Sequence, residues 1–153
     1  MNAILAIAVA VAVIAFAAFG IPTATASAVK ENMNASQIAG FARQAGFSDD
    51  DLTIAVAVAL AESHGDVSAH NVKGEDSRGL WQINVNAHPE FSDWQLFDPQ
   101  TNANAAYSVW SDAGSFRPWS TFNTYQADGK TLVSVGTGVY RQYLNAAQEG
   151  VNA

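Results

Sequence analysis

Leu52 to Asp66 reads LTIAVAVALAESHGD, and this stretch decides the fold. From Leu52 through Ala61 every residue except Thr53 is apolar, so a helix here has no polar face and must be enclosed by other parts of the chain. Ile54, Val56 and Val58 alternate with alanine, as in a buried strand, but the run is long for one and its flanks carry helix signals. Ser48 with Asp51 three residues on matches a capping box, and Asp49 to Asp51 set negative charge where the helix dipole favours it. His64-Gly65 stops the run. The pattern predicts a central, buried helix.

Glu62 is the only charged residue between Leu52 and Ser63. Desolvation disfavours its carboxylate, and the negative end of the helix dipole does so again, so both effects raise its pKa toward neutral pH. A carboxyl group that keeps its proton there can serve as a general acid. Breaking a glycosidic bond needs one, because the departing sugar oxygen leaves poorly until it is protonated. The helix alone also allows a bland alternative, a glutamate ending a helix in solvent.

Outward from this helix, Ser36 can cap a short helix with Ile38, Phe41 and Ala42 on one face and Gly46 at its end. Between Gly65 and Asn86 short polar segments with turn formers, Lys73-Gly74-Glu75-Asp76 and Arg78-Gly79, suit an irregular hairpin or small β lobe. Asp98-Pro99 supplies an N-cap and a first-turn proline for a helix through Ala103, Ala106, Tyr107 and Trp110. An aromatic segment, Phe116 to Tyr125, leads past Gly136 and Gly138 into a closing helix around Val139 to Ala147.

At the front, Ala3 to Phe19 is an unbroken apolar run, followed by Gly20, Pro22 and small residues that offer A-x-A cleavage sites. Residues 1–28 therefore read as a signal peptide or membrane anchor, and residues 29–153 as one domain. An uncleaved segment over residues 3–21 would give membrane association.

Composition removes several functions. The net charge is −7 with only 7 Lys plus Arg, which leaves no basic footprint for nucleic acid. The same balance is awkward for an enzyme approaching an anionic wall. Cysteine is absent, so disulfides, thiolate metal sites and a cysteine nucleophile are excluded. His64, His70 and His88 are too scattered for a helical zinc motif, and neither metal nor cofactor is expected.

Glu62-Ser63 followed by Ser77-Arg78-Gly79-Leu80-Trp81-Gln82-Ile83-Asn84 resembles, in order and spacing, the two leading motifs of the lysozyme-like soluble lytic transglycosylase superfamily. Asp98-Pro99 with Asn102, Ala105, Ala106 and Tyr107 is similar to its third helix motif. Pro118 to Phe122 with Tyr140-Arg141-Gln142-Tyr143-Leu144 resembles the C-terminal part of phage-associated and actinobacterial members. The likeness covers roughly Ser36 to Ala147.

That resemblance implies an α+β, mainly α fold, lysozyme-like, with a central buried helix and a small β-hairpin lobe. It implies cleavage of the β-1,4 bond between N-acetylmuramic acid and N-acetylglucosamine in a peptidoglycan glycan strand, with Glu62 as acid and base. The substrate's own N-acetyl oxygen would assist, leaving 1,6-anhydro ends.

Gln82 would line the cleft and bond substrate or acid, as would Asn84. Ser63 and Ser77 are candidates to hold Glu62 or the N-acetyl group. Trp81 and Trp119 offer faces for sugar stacking, or simply core. A hydrolytic muramidase would need a second carboxylate, for which Asp76 and Glu75 are the available candidates; charged turn residues in solvent are the alternative. Where the family carries Tyr-Asn this chain has Phe122-Asn123, so Tyr125 is the candidate to supply the missing hydroxyl. Two further readings stay open, a chitin-cleaving enzyme and a glycan-gripping component of an envelope or a phage virion with tail proteins as partners. The expected location is secreted, membrane-anchored or virion-borne.

Overall fold

The apolar stretch becomes helix α2 (Asp49–Ser63), and Leu52, Ala55 to Ala59 and Ser63 are buried along it. The computed structural model describes residues 32–153, so the expected leader at 1–28 and membrane segment at 3–21 lie outside the described residues. Ser48 is the N-cap residue of α2, but its hydroxyl bonds Asp49 rather than a helix N–H, so the expected capping box does not form. The acidic first turn supplies the favourable charge instead. At the far end His64 adopts the left-handed conformation and its N–H closes on the Leu60 carbonyl. Gly65 follows at φ +81°, where a Cβ would lie 2.1 Å from the Met33 carbonyl oxygen. Only glycine fits, and the Met33 N–H bonds its carbonyl at 2.9 Å.

Helix α1 (Ala35–Ala45) begins two residues earlier than the serine predicts. Asn34 and Gln37 form a reciprocal capping box at 3.0 Å each way, because an amide at Asn34 reaches the N3 donor that Ser36, already helical, cannot. Gly46 ends α1 as expected. The Asp98-Pro99 start of helix α3 (Pro99–Ala113) is also as expected, with Asp98 accepting from the Thr101 N–H at 2.8 Å. Ala103, Ala105, Ala106 and Val109 form its buried face.

The closing segment differs from a simple helix. A 3₁₀ turn over Val139–Tyr143 precedes helix α4 (Leu144–Asn152). Helices α2, α3 and α4 all pack on α1. A Cβ at Gly150 would lie 2.5 Å from Ala35, so glycine lets α4 approach the start of α1.

The Gly65–Asn86 region is a three-stranded antiparallel sheet rather than a single hairpin: β1 (His70–Asn71), β2 (Ser77–Arg78) and β3 (Ile83–Asn84) in that order. A second small ribbon pairs β4 (Thr124–Tyr125) with β5 (Leu132–Ser134). The architecture is thus α+β and mainly α, as the resemblance implied.

Asn102 ties the lobe to the helices. Fully buried on α3, its amide donates to the carbonyls of Arg78 and Leu96 at 2.8 and 2.9 Å, and its Oδ1 accepts from the Trp81 N–H at 2.8 Å. This explains Gly79 in the Gly-Leu-Trp-Gln motif. Its φ is +76°, and a Cβ would lie 2.2 Å from the Leu96 oxygen and 2.5 Å from the Asn102 amide. Among the described residues no helix is long and apolar enough to cross a membrane.

Candidate active site

Between α2 and the three-stranded lobe lies a cleft of about 420 Å³. Glu62 enters it from the last turn of α2. Ser77, Gln82 and Asn84 enter from the lobe, and Trp119 with Ser120 closes a third side. Sequence reasoning singled out all of these except Ser120.

Glu62 is half-buried, and Thr121 Oγ1 donates a hydrogen bond to its Oε1 at 2.7 Å. Burial raises the Glu62 carboxyl above the ordinary carboxylate range; the Thr121 hydroxyl opposes this, and the nearby charge of Glu75 adds to it. The net direction is upward, so the group holds its proton to higher pH than a free glutamate. Thr121 thus fixes the carboxyl at Oε1 while the group faces the cleft, where it can pass its proton to a bound sugar.

Thr121 was not foreseen. It sits on a 3₁₀ turn (Ser120–Phe122) that is pressed against α2 by the segment after it. At Gly138 a Cβ would lie 2.3 Å from the Thr121 carbonyl oxygen, and the Gly138 N–H bonds the Phe122 carbonyl at 3.0 Å. The glycine therefore lets the chain double back tightly enough to fix the threonine. Tyr125, the expected hydroxyl donor, is not at the cleft. Its OH accepts from Asn123 at 3.4 Å, while the Phe122 ring packs on Tyr140 and Phe116.

Three other expectations, for Trp81, Ser63 and Asp76, need correction, while Trp119 does line the cleft. Trp81 is fully buried with its indole N–H on the Ala55 carbonyl at 2.9 Å, so it is core and offers no face to a sugar. Trp119 is only 5 % exposed, its N–H on the Trp81 carbonyl at 2.8 Å, and it borders the cleft rather than presenting an open platform. Ser63 is buried and turned inward, donating to the Ala59 carbonyl and accepting from the Gly65 N–H. Asp76 points away from the cleft into an ion pair with Arg78 at 2.5 Å and a contact with His70 at 2.8 Å. Hydrogen bonds from those two groups hold its carboxyl down at about 2.

Gln82 borders the cleft in the left-handed conformation, φ +46°. Its amide nitrogen is taken by the carbonyls of Ala69 and Gly79 at 2.9 Å each, which leaves the amide oxygen for a ligand. It does not bond Glu62. Ser77 and Asn84 both donate to Glu75, a neighbour of the expected Asp76, and Glu75 lines the cleft. Among the described residues no cluster of His, Asp and Glu is suited to hold a metal ion.

A helical body with one proton-holding glutamate facing a small β lobe across a cleft defines the class, a lysozyme-like domain. The family model described as "Lysozyme like domain" matches residues 39–121, more than half of the chain. The chain belongs to that family, and membership brings with it glycan cleavage directed at peptidoglycan. No curated protein and no solved structure matches the chain.

Proposed function

We propose that the domain cleaves the β-1,4 bond between N-acetylmuramic acid and N-acetylglucosamine, with Glu62 first as general acid and then as base. One observation carries this: the Glu62 carboxyl, raised by burial and held at Oε1 by Thr121, opens on a cleft of about 420 Å³ between α2 and the β lobe. In the step proposed, Glu62 gives its proton to the departing oxygen while the substrate's N-acetyl oxygen supports the anomeric carbon. The 6-hydroxyl then closes on that carbon and returns a proton to Glu62, leaving a 1,6-anhydro end. A hydrolytic muramidase is the second reading, and the presence of Glu75 in the cleft favours it.

Because the substrate lies outside the cytoplasm, the apolar stretch 3–21 fits export or anchoring of the chain. The test is digestion of purified peptidoglycan by wild type and Glu62→Gln with product masses read. Wild type should release fragments and Glu62→Gln none; a fully active Glu62→Gln overturns the acid assignment. Anhydro ends support the first chemistry, reducing ends the second.

A further inference from the structure

One flank of the domain exposes apolar side chains where the chain carries no charge. From Thr131 to Tyr140 the sequence TLVSVGTGVY holds no charged residue, in a chain of net charge −7. Leu132, Val133, Val135 and Val139 are 41, 59, 44 and 43 % exposed along it. Leu132 and Val133 are neighbours in β5 and point to opposite faces, so the ribbon is apolar on both. The segment is also held in place. The Tyr140 hydroxyl donates to the Gly136 carbonyl at 3.1 Å, and a Cβ at Gly136 would lie 3.4 Å from the Phe122 ring. Val135 and Val139, on either side of that clamp, are displayed by a fixed turn. The same flank lies beside the point where residues 1–31 join the domain. Asn32 donates through its amide to the His64 carbonyl at 3.1 Å, and the His64 ring meets Tyr143 edge-on at 6.1 Å between centroids. Tyr143 closes the 3₁₀ turn that Val139 opens. Residues 22–31 are all that separates Asn32 from the apolar stretch 3–21, a reach of at most about 40 Å when fully extended.

We propose that this flank, Leu132 to Val139, lies against a lipid bilayer, with residues 3–21 as the uncleaved anchor that brings it there. A bilayer is favoured over a protein partner by the chain that arrives at the flank: the run from Ala3 to Phe19 has the length that crosses a hydrocarbon core. A short tether gives the exposed valines a high effective concentration at the surface, and two modest apolar contacts hold a protein there more firmly than one. The uncharged flank also meets the headgroups without the repulsion that anionic lipid exerts on acidic residues. Glu62 lies two residues before His64, to which Asn32 is bonded, so this seating keeps the acid near the membrane. On the glycan-cleaving reading, the domain then cuts the strands nearest the bilayer.

The chain contains no cysteine, so a single introduced one can carry a fluorophore. The full chain is reconstituted into phosphatidylcholine vesicles with nitroxide-bearing phosphatidylcholine as quencher, and Val133→Cys, Val135→Cys and Lys73→Cys are labelled one at a time. Lys73 is exposed in the lobe, across the cleft from α2. The two flank labels should lose at least about half of their emission and the Lys73→Cys label less than about a tenth. Closeness to the anchor is separated from contact by a label at Thr137→Cys, with and without Val133→Asp and Val135→Asp. Charges at those positions are costly in the bilayer interface and should reduce the quenching of that label about threefold. Equal quenching of flank and Lys73→Cys labels overturns the proposal, as does a Thr137→Cys label indifferent to the aspartates. So does a chain that fails to float with vesicles, or an exported chain whose intact mass lacks residues 3–21. Energy transfer between flank labels in vesicle-free solution would assign the flank to a second copy instead and overturns it equally. If the aspartate variant folds poorly, the comparison of flank with Lys73→Cys labels decides alone. Peptidoglycan digestion by the unchanged chain is a separate arm: its failure sinks the glycan-cleaving reading and leaves the lipid contact to be scored by quenching.

Discussion

Replacing Thr121 with valine keeps the shape of the side chain and removes one hydrogen bond, the 2.7 Å contact to Glu62 Oε1. While Glu62 is protonated that bond joins neutral partners, worth about 0.5–1.5 kcal/mol; once the proton moves to the sugar, the acceptor is a developing carboxylate and the worth rises to about 1.5–3 kcal/mol. The difference, about 1–1.5 kcal/mol, is felt only in the transition state and corresponds to roughly tenfold in kcat with little change in KM. The pH profile should respond too. Thr121 pulls the Glu62 carboxyl downward against burial, so without it the proton is held more tightly and the alkaline limb moves to higher pH. The assay is initial rate of soluble glycan cleavage across the pH range for wild type and Thr121→Val, with melting temperature as a control. Unchanged kcat together with an unmoved limb would refute the reasoning.

Glu62→Gln should not only abolish cleavage but stabilise the fold at neutral pH. The folded pKa lies above the unfolded one, so the wild type loses stability as pH rises through the folded value, and the variant does not. Its advantage in melting temperature should therefore grow as pH rises from the ordinary glutamate range through the raised folded value; a wild type more stable at the upper end contradicts the burial argument. Asn102→Ala strands the Trp81 N–H and the carbonyls of Arg78 and Leu96 in the interior and should cost about 3–5 kcal/mol in urea unfolding. A loss below about 1 kcal/mol would show that water or a neighbour replaces the amide. Asp76→Asn should leave kcat within about twofold of wild type, since its partners are Arg78 and His70. The stability that Asp76 confers is present above the ordinary aspartate range and is lost as pH falls through about 2, so the two proteins should converge in melting temperature at strongly acid pH.

What the sequence shows plainly is what local rules govern. The all-apolar run of α2 and the Asp98-Pro99 start of α3 are legible because a buried helix and an N-cap are written within a few neighbouring residues. The lobe is legible only as a region, since strands of two residues are too short to show a period. Trp81 and Trp119 are the same residue type, and only packing decides that one is core and the other a cleft border. Thr121 lies 59 positions from Glu62 and is placed by the close approach of Gly138, so no local pattern announces it. Of the two adjacent carboxylates that the sequence offers, only folding shows that Glu75 lines the cleft while Asp76 pairs with Arg78. Glu75 accepts from the Ser77 hydroxyl, and Asp76 accepts from Arg78.

Glu75 and Thr121 act on Glu62 in opposite directions, and that opposition is what makes the site testable as a unit. Burial lifts the acid, Glu75 lifts it further through its charge, and Thr121 restrains it through a hydrogen bond. Removing the charge should shift the alkaline limb down, while removing the hydroxyl should shift it up, yet both should lower kcat because each favours the charge distribution of the transition state. A site whose glutamate were merely a buried helix end would show neither pairing of effects. If Glu75→Gln and Thr121→Val are combined, the limb should return toward its wild-type position while kcat falls below either single variant, an outcome that no common loss of folding reproduces.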